Sequence, residues 1–196
     1  HGYLLASFLS PVSNTRNDEY GGDRAGRMCL PLEIVEAIRR EMPDTMPLFV
    51  RVSSVDGTKE GWNMDDTVVL ARELKARGVD VIDCSSGGIA GAATAAQVPR
   101  SLGFQVPFAE RVRREVGIPT MAVGLILEAQ QAEAIVAGGE ADLVFFLGAL
   151  RADSLAVASG AQLEQAIESG GSLGVMLVPV GYDLRDGTPC RQTAQV

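Results

Sequence analysis

The chain has 196 residues, the length of one domain, and its composition, 46% hydrophobic and 21% charged, is typical of a folded globular protein. Its formal net charge of −8 argues against nucleic acid or an anionic membrane as a partner, because both attract positive surfaces. No apolar run reaches the roughly 18 residues that a membrane span needs, and no signal-peptide pattern opens the sequence.

The three cysteines, Cys29, Cys84 and Cys190, are scattered along the chain. An odd number without regular spacing does not form a disulfide framework, and a single histidine leaves no zinc-ligand pattern. We therefore expect no metal site and three reduced thiols in a cytoplasmic protein. Cys84 is expected to be a small buried side chain rather than a nucleophile, because no base accompanies it.

From about residue 31 the chain repeats an amphipathic helix, a turn with glycine and a short apolar strand. Pro31 suits the first turn of the first helix, Asn63 is a suitable N-cap for the second, and Gly78 and Gly117 are typical helix terminators. The predicted helices are PLEIVEAIRREM, MDDTVVLARELKARG, PFAERVRREVG and EAQQAEAIVAGG, followed in turn by the strands PLFVRVS, VDVIDCSS, IPTMAVG and ADLVFFLG.

Strict alternation of helices with continuously apolar strands predicts an α/β fold with a parallel sheet covered by helices. Two architectures fit this pattern, a doubly wound open sheet and a (β/α)8 barrel. A complete barrel needs roughly 250 residues, so four units are half of one. Beyond about residue 150 the pattern decays, and residues 154–196 are expected to form a divergent segment with a short helix and a mobile tail.

Residues suited to binding follow the strands, where parallel α/β folds place their active sites. Arg51 is either a surface arginine near a strand end or a fork-shaped donor for an anion or a carbonyl-rich ring. Ser85 belongs to DCSSGG, which is either a plain turn or a hydroxyl-bearing site for a phosphate or a ribityl chain. Gly124 and Gly148 end the last two strands and allow a phosphate to approach the backbone closely.

The opening stretch HGYLLASFLSPVSNTRNDEYGG is more specific than these signals. It resembles a segment that the Old Yellow Enzyme family, the FMN-dependent NAD(P)H:flavin oxidoreductases, carries directly after barrel strand four. The resemblance extends to about residue 147 and is greatest to a bacterial subgroup with ene-reductases. It implies that residues 1–153 form strands five to eight of an FMN-binding TIM barrel, and that the chain begins inside a motif, with an N-terminal half missing.

The resemblance also implies roles for single residues. His1 matches the second residue of a pair that binds the substrate carbonyl, and Tyr3 matches the general acid that protonates the alkene. Arg51 matches the arginine beside N1 and O2 of the flavin ring, where a cation stabilises the reduced form. Ser85 matches the contact with the ribityl-phosphate chain, and Gly124 and Gly148 match the phosphate contacts after strands seven and eight.

A signature loop belongs to the match, and one position departs from it. Asn14, Arg16, Asp18 and Tyr20 belong to the signature loop, where we expect hydrogen bonds that order the loop rather than chemistry. Ala149 stands where the family places a phosphate-binding arginine.

The function implied is hydride transfer from NAD(P)H to FMN and then to an activated alkene such as an α,β-unsaturated carbonyl. Two alternatives remain open. One is an inactive half-barrel with weak or no flavin binding, and the other is a barrel enzyme that binds a phosphate without flavin. The expected partners are a small-molecule substrate and either a second copy of the chain or the missing half, with neither nucleic acid nor membrane.

Overall fold

The computed structural model describes residues 4–87 and 100–145, together with residues 89 and 98. Its helices are α1 (Leu4–Leu9), α2 (Arg24–Glu41), α3 (Met64–Ala76), α4 (Val106–Val116) and α5 (Ala129–Ala137). Its strands are β1 (Phe49–Ser53), β2 (Val81–Ser85), β3 (Thr120–Ala122) and β4 (Leu143–Val144). The predicted alternation from α2 onward is confirmed, whereas the segment 154–196 lies outside the described residues. Of the described helices, none is both long and apolar enough to span a membrane.

The strands form one parallel sheet whose spatial order follows the chain, β1–β2–β3–β4. Each strand pairs with the next one along the chain after a connection that contains a helix. A doubly wound sheet reverses its strand order at a switch point, whereas a (β/α)8 barrel continues in one direction. The observed order is therefore that of a stretch of barrel.

The two faces of the sheet differ in chemistry, because alternate strand residues point to opposite sides. One face packs against the helices and forms the core, which includes Val52, Ile82, Cys84, Ala122 and Val144 from the strands and Leu74, Val112 and Ile135 from α3, α4 and α5. Across the other face the pairing register aligns Arg51, Asp83, Met121 and Leu143 in one row. An arginine and an aspartate thus lie side by side on the face that corresponds to the interior of a barrel.

The predicted ends of α3 and α4 are confirmed by their caps. The Asn63 side chain accepts hydrogen bonds from the backbone N–H groups of Asp65 (2.9 Å) and Asp66 (3.3 Å), and the Asp66 carboxylate accepts one from Asn63 N (3.1 Å). Gly117 ends α4 in the left-handed conformation, with φ +64°. These local signals fix where each helix meets the sheet.

The predicted start of the first long helix is wrong. α2 begins at Arg24, because the Asp23 side chain caps it by accepting a hydrogen bond from Gly26 N (2.9 Å). Pro31 therefore lies inside the helix, where it is buried rather than in the first turn. The short helix α1 was not predicted.

Candidate active site at the carboxyl ends of the strands

Arg51 lies in the middle of β1 rather than at its end, on the face away from the helices. Its Nε lies 3.5 Å from Oδ2 of Asp83, and its guanidinium carbon lies 5.2 Å from the centre of the Phe145 ring. The Arg51 side chain keeps 29% of its surface exposed. It is thus held from two sides while part of the side chain stays accessible, and it lies inside the strand rather than at its end.

The pair leaves hydrogen-bonding capacity unused. Arg51 Nε and Asp83 Oδ1 are buried, yet neither makes a hydrogen bond within the part of the chain that the structure describes. Burial raises the pKa of the Asp83 carboxyl, and the neighbouring Arg51 charge opposes this rise. Buried polar atoms without partners are uncommon in folded proteins, so a polar ligand beside this pair is a physically reasonable partner for them.

The carboxyl ends of β2 and β3 meet around a side chain that the sequence did not single out. Gln105, at the start of α4, donates a hydrogen bond from Nε2 to Ser86 Oγ (2.6 Å). It also packs against Gly124, whose φ is +111° and where an added Cβ would lie 2.9 Å from Gln105 Oε1. Ser85 is the last residue of β2 and is buried beside Ser86. The predicted Ser85 and Gly124 are therefore brought to one edge of the sheet, with Gln105 between them.

This arrangement fits a phosphate-bearing cofactor such as FMN. Gly124, with φ +111°, leaves the backbone after β3 without a side chain, and backbone N–H groups at such turns can bind phosphate. The partly exposed Arg51 side chain lies on the sheet face away from the helices, where its guanidinium can meet a polar ring. In residues 4–87 and 100–145, no group of three or more His, Cys, Asp or Glu side chains is arranged to hold a metal ion.

His1 and Tyr3, the predicted substrate residues, lie outside the described residues, as does Gly148. The helix α1 begins at Leu4, directly after Tyr3, and its far end is fixed to the loop that follows β1. The Ser10 hydroxyl there donates a hydrogen bond of 2.5 Å to Asp56 Oδ2, and both residues are buried. The segment that follows Tyr3 is thus anchored at the same edge of the sheet as Ser85 and Gly124.

Asp56 organises this loop. Its Oδ2 also accepts a hydrogen bond from Trp62 N (2.8 Å), and its own N–H donates to Trp62 O (2.9 Å). The Trp62 indole N–H donates to Thr67 Oγ1 (2.7 Å), which in turn donates to Ser54 O (2.8 Å). Sequence reasoning missed Ser10 and Asp56, because nothing in either local pattern indicates that the two residues meet.

The signature loop is ordered by its own side chains, as the sequence predicts. Asn14 Nδ2 donates hydrogen bonds to Phe8 O and Tyr20 O, each of 2.7 Å. The Arg16 guanidinium makes two hydrogen bonds to the Asp18 carboxylate, and Asp18 Oδ1 accepts another from Tyr20 N (3.1 Å). These contacts join the end of α1 to the start of α2.

Comparisons with known proteins cover the part of the chain that contains this site. The sequence profile of the NADH:flavin oxidoreductase / NADH oxidase family matches residues 1–158. The chain belongs to this family. Similar relatives include an NADPH dehydrogenase of Geobacillus thermodenitrificans, 48% identical over 145 residues that cover 74% of this chain and 41% of the relative. An NADPH dehydrogenase of Bacillus velezensis is 42% identical over 184 residues, which cover 93% of this chain and 50% of the relative.

The chain spans about half the length of these two relatives, 41% and 50%. Among solved structures, a 2-naphthoyl-CoA reductase matches with a TM-score of 0.66 and 24% identity, over 86% of this chain and 25% of the other. An Old Yellow Enzyme homologue from Zymomonas mobilis matches with a TM-score of 0.57 and 20% identity, over 74% of this chain and 39% of the other. These likenesses support the fold, and the predicted Old Yellow Enzyme resemblance and TIM-barrel class are confirmed.

Family membership does not test the individual roles. Those assigned to His1, Tyr3, Arg51, Ser85, Gly124 and Gly148 therefore stay predictions.

Cys84 is expected to resist alkylation in the folded chain. It is fully buried on the helix-covered face of β2, and burial raises the pKa of its thiol to about 12. At pH 8 only about one thiol in 10,000 is then ionised, and the thiolate is the nucleophile. Mass spectrometry after iodoacetamide treatment at pH 8 should find the Cys84 peptide unmodified natively and modified in denaturant. Equal labelling rates in both conditions would contradict this assignment.

Proposed function

We propose that this chain contributes to an FMN-dependent NAD(P)H oxidoreductase and carries the part of the flavin site that includes Arg51, Ser85 and Gly124. The supporting observation is the partly exposed Arg51 with its unsatisfied Nε, on the sheet face away from the helices, in a chain of this family. When bound, FMN would supply the redox chemistry that carries a hydride from NAD(P)H to the substrate. Such chemistry draws on the intracellular NAD(P)H pool, so we propose a cytoplasmic setting.

Each residue has a distinct task in this proposal. The Arg51 guanidinium holds the polar edge of the flavin ring and stabilises negative charge that develops there. Ser85 would contact the ribityl-phosphate chain. Gly124 and Gly148 let the phosphate approach the backbone at the ends of neighbouring strands.

The proposed substrate is an activated alkene, such as an α,β-unsaturated carbonyl compound. His1 donates a hydrogen bond to the substrate carbonyl and polarises it. Tyr3 gives its hydroxyl proton to the α-carbon as the hydride reaches the β-carbon. The Ser10–Asp56 hydrogen bond anchors the helix that follows these two residues in the chain.

The first experiment compares FMN with riboflavin, which lacks the phosphate. Titrations of the 196-residue chain, followed by the visible flavin spectrum, should show FMN binding at least about tenfold more tightly, a difference of about 1.4 kcal/mol. In Gly124→Ala the added methyl collides with Gln105, and the backbone, with φ +111°, is strained. The advantage of FMN over riboflavin should then fall to less than about threefold.

Gly117→Ala is the matched control. Gly117 also has a positive φ, of +64°, but an added Cβ there meets only Lys75 Nζ, at 3.6 Å, at the opposite edge of the sheet. The Gly117→Ala variant should be less stable than the unmodified chain but should keep the same ratio of FMN to riboflavin affinity. Equal ratios in all three proteins would contradict the phosphate role of Gly124, and no saturable flavin binding by the unmodified chain would contradict the proposed function.

Size-exclusion chromatography of the same samples tests the proposed partner. A barrel needs strands on both sides of the four observed here, and either a second copy or a further polypeptide would supply them. A flavin-bound dimer supports self-association as the source. A colourless protein that binds only a sugar phosphate would instead favour the phosphate-binding enzyme without flavin.

A further inference from the structure

Asp83 is the least expected residue of the sheet. It occupies the centre of β2, whose residues are all buried, and only 7% of its surface is exposed. Burying a carboxylate costs several kcal/mol unless charges and hydrogen bonds compensate for it. No part of the proposed function accounts for Asp83, so its position calls for a separate explanation.

Among the described residues, Arg51 supplies the positive charge that faces Asp83. The pairing register places the two residues opposite each other on neighbouring strands, and Arg51 Nε lies 3.5 Å from Asp83 Oδ2. The separation is an ion-pair distance, and Asp83 Oδ1 and Arg51 Nε both make no hydrogen bond within the described residues. A carboxylate kept only for stability is expected to have its oxygens satisfied.

The same contact restricts the arginine. The Arg51 guanidinium lies between the Asp83 carboxylate on one side and the Phe145 ring, 5.2 Å away, on the other. A planar group held between a charge and an aromatic face has few orientations, so it is pre-organised for a ligand. The nearby negative charge also offsets part of the positive field that such a ligand experiences.

We propose that Asp83 is a positioning residue for Arg51 that also lowers the reduction potential of the bound flavin. This inference rests on the proposed function, in which Arg51 contacts the FMN ring. The carboxylate fixes the direction of the guanidinium and weakens its stabilisation of the reduced, more negative flavin. A purely structural pair would affect the stability of the sheet but not the potential.

The test is the reduction potential of FMN bound to the 196-residue chain, measured by equilibrium reduction against a reference dye. Asp83→Asn keeps the shape and an acceptor oxygen for Arg51 while it removes the negative charge. We expect reduced FMN to gain about tenfold in affinity relative to oxidised FMN. For a two-electron couple this is a rise of about 30 mV.

Asp142→Asn is the matched control. Asp142 also pairs with an arginine, since Arg113 Nε lies 3.1 Å from its Oδ1, but it lies at the opposite edge of the sheet, just before β4. The same chemical change at Asp142 should leave the reduction potential of the bound FMN unchanged. Asp83→Leu serves as a second variant should the asparagine chain fail to fold, because it also removes the negative charge, and Arg51 keeps 29% of its side-chain surface in contact with solvent. We expect the same upward shift from it.

The outcomes separate the two proposals. If the unmodified chain binds FMN and the potentials of the Asp83 and Asp142 variants both equal that of the unmodified chain, the inference about Asp83 is overturned while the proposed function stands. A rise of similar size in both variants overturns it too, because the effect would then be one of net charge. Absence of FMN binding by the unmodified chain overturns the proposed function, and the inference with it.

Discussion

Replacing Asp56 with alanine lowers the free energy of unfolding by about 3–5 kcal/mol, the range expected when a buried hydrogen-bond network loses its centre. The Ser10 hydroxyl and the Trp62 N–H both donate to Asp56 Oδ2 in the folded chain. In the alanine variant both donors stay buried without an acceptor, and each carries a desolvation cost of about 1–3 kcal/mol. Urea denaturation followed by circular dichroism measures the loss.

Two variants make this prediction specific. Asp56→Asn keeps an acceptor oxygen, so it should destabilise the chain by roughly half as much. Asp44→Ala is the surface control, since Asp44 is exposed, and it should change stability by less than about 0.5 kcal/mol. A loss for Asp56→Ala no larger than for Asp44→Ala would show that the network contributes nothing.

Fluorescence offers an independent readout of the same loop. Trp62 is the only tryptophan in the chain, and it is almost completely buried. Its backbone is held by Asp56 and its indole N–H by Thr67. Asp56→Ala should therefore shift the native emission of Trp62 to longer wavelength, as the indole becomes hydrated.

Tyr3→Phe should slow alkene reduction about 100- to 10,000-fold, the contribution expected of a general acid, while the reduction of the flavin by NAD(P)H stays unchanged. The phenylalanine ring keeps the shape of tyrosine but has no proton to give to the α-carbon. Stopped-flow measurement of the two half-reactions, with 2-cyclohexenone as the oxidant, distinguishes these effects. An equal slowing of both half-reactions would refute the proton-donor role.

Tyr20→Phe is the control for this substitution. The Tyr20 hydroxyl donates a hydrogen bond to Glu33 Oε2 (3.2 Å) in an exposed part of the signature loop. Its removal changes a tyrosine to a phenylalanine in the same N-terminal region without touching the proposed chemistry. Both half-reactions should keep their rates in this variant.

The fold shows which features local sequence signals determine. The cap at Asn63 and the left-handed terminator Gly117 act within a few residues of the helix ends that they set, and both predictions are confirmed. The predicted start of α2 is wrong because Pro31 is a strong signal for a first turn, while the Asp23 cap upstream gives a weaker pattern. Local patterns thus predict the order of the helices and strands better than the residues at which each one begins and ends.

The sequence by itself determined the family, through the motif at its N-terminus, and the alternation of helices with buried strands that specifies a parallel sheet. Only the tertiary structure decided which side chains meet. Asp83 reaches Arg51 through the register of two strands, and Ser10 reaches Asp56 across 46 residues. Gln105 likewise reaches Ser86 only because α4 packs beside β2. Such contacts depend on strand register and burial, which arise when distant segments pack together and leave no periodic trace in the local sequence.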